Sequence, residues 1–218
     1  MKFLRKIIRE IFRSKITKQF NNSSEYWEDR YYYGGNSGRG SYEEDAKIKA
    51  NFLNATAKEF NLNNVIDMGC GDGNILSLFD SYNYFGIDLS ETVISQNKKK
   101  FINNKEKNFI LLKNNYTNII KKINKNIIRN ESIILSFDVI LHLVENHIYE
   151  KHLDFINKID AAFCLVVSSN KNVDYNLSIP HVRHRNYSKD FEFNGWNLIN
   201  SKKIPDCPDN REINLYQR

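Results

Sequence analysis

Three glycines at alternate positions follow a short apolar run in the stretch VIDMGCGDGNIL, and they are Gly69, Gly71 and Gly73. Glycine lets a backbone turn tightly and approach a ligand closely, because no Cβ stands in the way. An acidic residue, Asp88, follows 15 positions after the last glycine, at the end of the apolar stretch YFGID. A carboxylate at that place can accept hydrogen bonds from both hydroxyls of a ribose. The spacing therefore predicts a nucleoside-binding site.

The same turn narrows the choice of nucleoside. The dinucleotide fingerprint G-x-G-x-x-G requires a glycine where this chain has Asn74, and the chain contains no G-K-[ST] phosphate loop. Asp67 enters the turn, where its negative charge would repel a pyrophosphate and attract an ammonium or a sulfonium group. This charge argument favours S-adenosylmethionine over NAD.

The elements that must position these residues alternate between strand and helix along the chain. Five stretches are predicted as strands: NVIDM, YFGID, NFILLK, SIILSFDVILHL and AAFCLVVSS. Four are predicted as helices: NILSLFDSY, SETVISQNKKKFI with Ser90 as its N-cap, TNIIKKIN and HIYEKHLDFINKI. This alternation predicts a parallel, doubly wound sheet. The end of the chain differs, because GWNLINSKKI and REINLYQR are joined by a proline-containing turn and are expected to form an antiparallel hairpin.

The composition is that of a soluble globular protein, and 218 residues are most simply one domain. The net charge is +6, but residues 1–20 contain seven Lys or Arg and one Glu, so the remainder is nearly neutral and gives no support for nucleic-acid binding. Three cysteines show neither a pairing pattern nor metal-ligand spacing, which predicts no metal and a cytoplasmic location. No apolar run reaches the roughly 18 residues of a membrane span.

The N-terminus is predicted to be a basic amphipathic helix over residues 1–22. Apolar residues recur there at helical spacing, with lysines and arginines between them. Three roles stay open for this helix: packing on its own domain, pairing with a partner, or weak contact of residues 1–20 with an anionic membrane surface.

The glycine turn and the acid after the second strand resemble the class I S-adenosylmethionine-dependent methyltransferases over roughly residues 45–218. The residues that match the family motifs are Asp67, Gly69, Gly71, Gly73 and Asp88. The resemblance implies an α/β fold with a doubly wound, seven-stranded, mostly parallel sheet of order 3-2-1-4-5-7-6 and an antiparallel last strand. It also implies that residues 23–218 form the methyltransferase domain, with residues 23–45 as a lid over the cofactor, S-adenosyl-L-methionine.

Further cofactor contacts follow from this resemblance. Arg30 is expected to reach the carboxylate of the cofactor, while Trp27 and Tyr31 cover it. The family often has an acid near the adenine after the third strand, and here Asn114 or Asn115 is expected to replace it. The remaining predicted contacts are Cys70, Leu89 and Phe137.

A narrower resemblance rests on three stretches together: YWEDRYYYGGNSGRGSY, LHLVEN and HVRHRNYS. They are similar to bacterial methyltransferases of capsule and surface-polysaccharide biosynthesis. This resemblance implies a small-molecule acceptor, such as a sugar, a nucleotide-linked intermediate or a phosphorylated group.

The residue types around the predicted acceptor site indicate that the acceptor is an anion and that a general base removes a proton from it. Backbone N–H groups and side chains of Ser37, Gly38 and Arg39 could form an anion nest, and Arg183 and Arg185 could hold a phosphate or a carboxylate. A hydroxyl acceptor needs a general base, whereas an amine needs only to be neutral. The histidines predicted for this role are His142 first, and His181 or His184 behind it, whereas His147 and His152 are expected to pack.

Two other functions compete with this one. A nucleic-acid methyltransferase would be expected to carry [DN]-P-P-[YF] after the fourth strand or a nucleophilic Cys near a proline there, and this chain has FDVILHL. A non-catalytic cofactor-binding or scaffold protein would use the basic helix for docking instead.

Overall fold

The computed structural model describes most of the chain, namely residues 20–113, 116–173, 179–205, 207 and 209–218. Two sequence predictions fall largely outside this part: the basic helix, of which residues 1–19 are not described, and the adenine contact at Asn114 or Asn115. Among the described helices, none combines the length and the apolar content that crossing a membrane requires.

A seven-stranded sheet forms the centre of the structure, with the order β3-β2-β1-β4-β5-β7-β6. β1 to β5 are parallel, and β7 runs antiparallel to both of its neighbours, β5 and β6. The predicted fold class, strand order and closing hairpin are therefore confirmed. The strands are β1 (Asn64–Met68), β2 (Asn83–Asp88), β3 (Lys107–Leu111), β4 (Ser132–Phe137), β5 (Phe163–Ser169), β6 (Asn197–Lys203) and β7 (Arg211–Gln217).

Helices cover both faces of this sheet. They are α1 (Ser23–Tyr32), α2 (Glu43–Phe60), α3 (Glu91–Lys100), α4 (Tyr116–Asn124), α5 (Asn146–Lys158) and α6 (Tyr187–Phe193). Successive strand residues point to opposite faces, so Val65 packs in the cluster with α2 and α3, whereas Ile66 packs in the cluster with α4, α5 and α6. This arrangement makes the sheet doubly wound, and it brings the carboxyl ends of five parallel strands to one edge.

Local chemistry explains where several elements begin and end. Ser90 is the N-cap of α3 as predicted, because its Oγ accepts the Val93 N–H at 3.2 Å. The stretch NILSLFDSY is not the predicted α-helix but a short 3₁₀ turn, Ile75–Leu78. Asn54 on α2 explains the difference, since its side chain bonds to the backbone of residues 78 and 80, which can no longer continue a helix.

Two further predictions about elements were incomplete. The strand predicted from SIILSFDVILHL ends at Phe137, because Asp138 takes a positive φ of 56° and a 3₁₀ turn, Ile140–His142, follows it. The helix α6 between β5 and β6 was not predicted at all. It has only seven residues, which is too short for a clear helical repeat.

Candidate functional site

The glycine turn lies at the carboxyl edge of the sheet between β1 and the 3₁₀ turn. Gly69 and Gly71 both have positive φ, at 89° and 52°. A Cβ on Gly69 would collide with the side chain of Val139, and one on Gly71 would collide with Ser37 Oγ. The turn is held from behind, since Asn97 Nδ2 donates to the Gly71 carbonyl at 2.7 Å. Glycine is therefore required at both positions, by the backbone conformation and by the packed side chains of Val139 and Ser37.

Asp88 ends β2 directly beside this turn. Its Oδ2 accepts the Gly71 N–H at 3.0 Å, and its Oδ1 accepts the Ser90 N–H at 2.9 Å. Each carboxylate oxygen retains a second lone pair, so both can still accept a hydrogen bond from a ligand. Burial raises the pKa of Asp88 to about 6, and the carboxyl group is therefore mostly ionised at pH 7.

Asp67 and Cys70 lie behind the turn and do not line the cavity described below. The Tyr84 hydroxyl donates to Asp67 Oδ2 at 2.7 Å, and this carboxyl group is almost completely buried. Burial raises its pKa to about 7. Burial likewise raises the pKa of the Cys70 thiol, whose Sγ lies near Asn97. Both groups support the turn from the core side.

A cavity of about 560 Å³ opens in front of the glycine turn and Asp88. Nine of the residues that the sequence predicts for the site line it. Those from the turn, β2 and β4 are Gly69, Gly71, Asp88, Leu89, Phe137 and His142. Those from the N-terminal part are Trp27, Tyr31 and Ser37. The cavity is thus enclosed by the sheet edge on one side and by α1 with its following loop on the other.

We call residues 23–42 the covering segment, and they are fixed at three places: the β4–α5 loop, the start of α3 and the glycine turn. At its start, Ser23 Oγ donates to Glu145 in the β4–α5 loop at 2.6 Å. In the middle of α1, Glu28 accepts the hydroxyl of Thr92 on α3 at 2.5 Å. Near its end, the Ser37 N–H donates to Asp72 of the glycine turn at 2.9 Å. The glycine-rich stretch YYYGGNSGRGSY therefore lies across the other glycine turn.

A buried group of four charges supports the covering segment from below, and the sequence analysis missed it. Lys49 is fully buried and donates to Asp138 and to the Gly40 carbonyl. Arg211 forms ion pairs with Asp138, at 2.8 Å, and with Asp45, at 3.0 Å. The two cations hold the pKa of Asp138 below its usual range. Two acids and two bases balance, so this cluster presents no net charge to the cavity.

His142 occupies the 3₁₀ turn after β4 and faces the cavity. Its Nδ1 lies 2.9 Å from the backbone carbonyl of His181. A carbonyl can only accept, so Nδ1 carries the proton and Nε2 has a free lone pair. Burial lowers the pKa of His142 to about 4, which keeps the ring neutral at pH 7. The ring also contacts Trp27, with centroids 4.9 Å apart.

Of the predicted acceptor-side residues, Ser37 and His142 line the cavity, and the others do not. Arg183 and Arg185 do lie on the same side of their segment, but both donate to the Val144 carbonyl and to Asn146 Oδ1. His184 Nδ1 bonds to the Ser169 hydroxyl at 2.6 Å.

The remaining acceptor-side predictions, Gly38, Arg39 and His181, and the predicted cofactor contact Arg30 do not line the cavity either. Arg39 is exposed, and Gly38 precedes it with a φ of 87°. Arg30 donates to the Asn36 carbonyl, and the His181 ring stacks on Tyr26 with centroids 4.5 Å apart.

Residues of α4 and α5 also line the cavity, and sequence reasoning did not assign this part of it. They include Tyr116, Lys151 and His152. His152 Nε2 bonds to the buried Ser136 hydroxyl at 2.9 Å, and burial lowers its pKa to about 4. The packing role predicted for His152 agrees with this contact. The helical spacing of Ile148, Lys151 and His152 was the available signal for a shared face.

No protein-family model matches the chain, and no curated protein matches it in sequence. Solved structures do resemble it. The N-methyltransferase NodS from Bradyrhizobium japonicum WM9, in complex with S-adenosyl-L-homocysteine, has a TM-score of 0.66 at 12% identity, covering 91% of this chain and 99% of NodS. The 1,6-didemethyltoxoflavin-N1-methyltransferase from Burkholderia thailandensis, with S-adenosylhomocysteine and its substrate bound, has a TM-score of 0.58 at 11% identity, covering 81% and 79%.

A third solved structure shows how widely the fold is shared. The CurJ carbon methyltransferase has a TM-score of 0.57 at 11% identity, and the matched part is 79% of this chain but only 53% of CurJ. The chain therefore has the fold of S-adenosylmethionine-dependent methyltransferases. Nitrogen and carbon methylation both occur among these neighbours, so the fold does not determine the acceptor atom.

Proposed function

We propose that the protein is an S-adenosyl-L-methionine-dependent methyltransferase that binds its cofactor in the cavity in front of the glycine turn. The carrying observation is the Asp88 carboxylate, which lies at this cavity next to the Gly71 N–H with a free lone pair on each oxygen. A desolvated, ionised carboxylate is a strong acceptor for the two hydroxyls of a ribose. The structural neighbours crystallised with S-adenosylhomocysteine support the same choice of ligand.

The rest of the cavity fits the remaining parts of this cofactor. Gly69 and Gly71 line the cavity without side chains of their own, so a ligand can approach their backbone closely. Hydroxyl groups of Tyr31, Ser37 and Ser41 line the same end and could bond to the amino-acid part. Leu89 begins the apolar side where an adenine would lie. The sequence predicts cofactor contacts for Asp67, Cys70 and Asn115. We propose that Asp67 and Cys70 act indirectly, by supporting the turn, and that Asn115 contacts the adenine.

His142 is the proposed general base for a hydroxyl acceptor. Its neutral ring has a free lone pair on Nε2, and the His181 carbonyl fixes that tautomer. Nε2 takes the proton of the acceptor hydroxyl while the oxygen forms its new bond to the methyl carbon. When bound, the cofactor supplies that methyl group and retains the electron pair of the broken carbon–sulfur bond. This arrangement supports O-methylation, whereas N-methylation would need only a neutral amine.

The narrower parts of the proposal come from the sequence. The three stretches that resemble capsule and surface-polysaccharide methyltransferases support a small, anionic, sugar-type or phosphorylated acceptor and a cytoplasmic enzyme. We propose that residues 23–45 act as a lid over the cofactor, and the anchoring of Ser23, Glu28 and Ser37 supports this. Residues 1–20 are proposed to contact an anionic membrane surface weakly.

Two measurements test the proposal. Thermal melting with S-adenosylhomocysteine at about 100 times its dissociation constant should add roughly 2.7 kcal/mol of stability and raise the melting temperature by a few degrees. Incubation with labelled S-adenosylmethionine and a panel of nucleotide sugars and sugar phosphates should transfer label. No melting shift at millimolar ligand would refute the cofactor site, and binding without transfer to any acceptor would favour a non-catalytic protein.

A further inference from the structure

Arg30 lies on the outer side of the covering segment, beside the acceptor end of the cavity. Its guanidinium carbon is 5.6 Å from the centroid of the Trp27 ring, which itself lines the cavity. Its Nε donates to the Asn36 carbonyl at 2.5 Å, and a second nitrogen lies 3.3 Å from Asn36 Oδ1. The third nitrogen lies 3.5 Å from the Tyr26 hydroxyl. These contacts fix the guanidinium in one orientation.

No carboxylate of the described residues pairs with Arg30. Two nearby acids are engaged elsewhere: Glu28 of the covering segment accepts from Thr92, and Asp72 of the glycine turn accepts from Ser37 and Tyr42. Asp29, which precedes Arg30, is exposed to solvent and forms no ion pair with it. Arg211, by contrast, holds two carboxylates at 2.8 and 3.0 Å. Arg30 therefore carries a charge that neutral groups orient but that no described group neutralises. Of its five N–H groups, three face these neutral acceptors and two remain for a ligand.

His181 lies next to this guanidinium and links it to His142. Its ring stacks between Tyr26, at 4.5 Å, and His142, at 5.7 Å between centroids. Burial, and secondarily the charge of Arg30, lower the pKa of His181, so its ring is neutral at pH 7 and has one N–H to donate. No ring nitrogen of His181 forms a hydrogen bond to another described residue. An oriented cation and a neutral donor thus stand together beside the proposed base.

We propose that Arg30 and His181 form a binding subsite for a phosphate group on the methyl acceptor, at the rim of the cavity. This inference rests on the proposed function, since the acceptor is the molecule whose hydroxyl reaches His142. Phosphate suits the place because its oxygens accept from a planar guanidinium fork and from an imidazole N–H at once. Trp27 contacts both the proposed base and the proposed phosphate subsite: its ring meets His142 in a T-shaped contact, and the Arg30 guanidinium lies over the same ring. A sugar phosphate can span that distance and lay its ring against Trp27.

The subsite changes the role that the sequence suggested for Arg30. A guanidinium bound to the cofactor carboxylate would be expected to line the cavity, and Arg30 does not. The hydroxyl-bearing residues Tyr31, Ser37 and Ser41 line the cavity in its place. The two roles are separable by experiment, because 5′-methylthioadenosine lacks the amino-acid part of the cofactor.

The test uses inorganic phosphate as the probe and the full chain saturated with S-adenosylhomocysteine. Phosphate is titrated while the imidazole NMR signals of His181 are followed, in native protein and in the variants Arg30→Gln, His181→Asn and Arg129→Gln. Arg129 is the matched control, since it pairs with Asp160 at the opposite end of the sheet. His181→Asn keeps the backbone carbonyl that orients His142. In His181→Asn, the shift of the His142 signal replaces that of His181.

We expect native protein and Arg129→Gln to bind phosphate equally, and Arg30→Gln to bind it about tenfold or more weakly, because charge-assisted hydrogen bonds are lost. His181→Asn should weaken binding by a smaller factor. Affinities for S-adenosylhomocysteine and for 5′-methylthioadenosine should change by less than about twofold in Arg30→Gln.

Three results would overturn the subsite. They are no phosphate binding to native protein, equal phosphate binding to Arg30→Gln, or a loss of S-adenosylhomocysteine affinity in Arg30→Gln that 5′-methylthioadenosine does not show. The last would assign Arg30 to the cofactor carboxylate. If S-adenosylhomocysteine itself does not bind, the proposed cofactor site fails, and the same comparison of Arg30→Gln with Arg129→Gln on the unliganded chain still decides whether the rim binds phosphate.

Discussion

The substitution Asp88→Asn tests the nucleoside site most directly. The carboxylate is proposed to accept both hydroxyls of a ribose, one on each oxygen, beside its bonds to Gly71 and Ser90. An asparagine has the same shape but keeps only one acceptor oxygen and no charge. Its amide nitrogen would also face a backbone N–H that now donates to Asp88, so the site should lose affinity without losing its shape.

The expected loss follows from the number of bonds affected. A hydrogen bond to a charged group contributes about 1.5–3 kcal/mol, and one of two such bonds is removed while the other loses its charge. We therefore expect the affinity for S-adenosylhomocysteine to fall by about 2 kcal/mol, which is roughly thirtyfold.

The pH dependence of the affinity for S-adenosylhomocysteine gives a second, independent test of Asp88. Burial raises the pKa of Asp88 to about 6, and the ribose bonds to the ionised form. Native affinity should therefore be constant above about pH 7 and fall roughly tenfold per unit below pH 6. The Asp88→Asn variant should show no such fall. Because the pKa of Asp67 is also raised, to about 7, the profile is best measured in an Asp67→Asn background.

Isothermal titration calorimetry with S-adenosylhomocysteine between pH 5 and pH 8 measures both effects. Asp80→Asn is the matched control, since Asp80 is exposed and its side chain does not line the cavity. Thermal melting without ligand checks that each variant folds. Affinity of Asp88→Asn within about threefold of native, or a flat native profile down to pH 5, would refute the assignment of Asp88 to the ribose.

Three further substitutions test the surroundings of the site. His142→Asn should lower the rate of methyl transfer by roughly 10² to 10⁴ and leave S-adenosylhomocysteine affinity unchanged, as single-turnover kinetics and calorimetry can show; equal rates would exclude His142 as the base. Lys49→Met removes one of the two cations that pair with the buried Asp138 and leaves the cluster with an excess negative charge, so urea denaturation should show a loss of roughly 3–5 kcal/mol, partly recovered in the double variant with Asp138→Asn. Asp67→Asn should instead increase the stability of the protein at high pH. The folded-state pKa of Asp67 is raised from 3.8 to about 7, so ionisation costs stability as the pH rises through that window. The variant should match native protein near pH 4 and exceed it at pH 8 by up to about 4 kcal/mol, and equal stability at pH 8 would contradict a desolvated carboxylate there.

The elements that the sequence predicts well are those whose own residues determine them. The apolar density of the five parallel strands and the N-cap at Ser90 are local signals, and the structure confirms both. The stretch NILSLFDSY has a helical pattern as well, but Asn54 of α2 takes over its backbone hydrogen bonds. A contact between distant segments overrode the local preference there, and no spacing within the stretch announces it.

The residues of the candidate site also fall into two groups: those that the local sequence predicts and those that only the fold brings together. Gly71 and Asp88 belong to one strand–turn–strand motif, so their spacing predicts their meeting. Lys49 and Asp138 are 89 positions apart, and nothing in either neighbourhood indicates a buried pair. The arginines of HVRHR were predicted to face a ligand, yet the structure bonds them to the β4–α5 loop, because a guanidinium takes whichever oxygens the fold brings near.

The anchoring of the covering segment also bears on the speed of turnover. Ser23, Glu28 and Ser37 hold it to the β4–α5 loop, to Thr92 at the start of α3 and to the glycine turn. Residues of that loop and of that turn also line the cavity. The product S-adenosylhomocysteine can leave only when several of these hydrogen bonds break together. The parts of the chain that contact the product then become more mobile at the same time. We expect exchange of product for fresh cofactor to be slower than the transfer step itself. Breaking the hydrogen bonds that hold the covering segment would then be the rate-limiting step of the catalytic cycle.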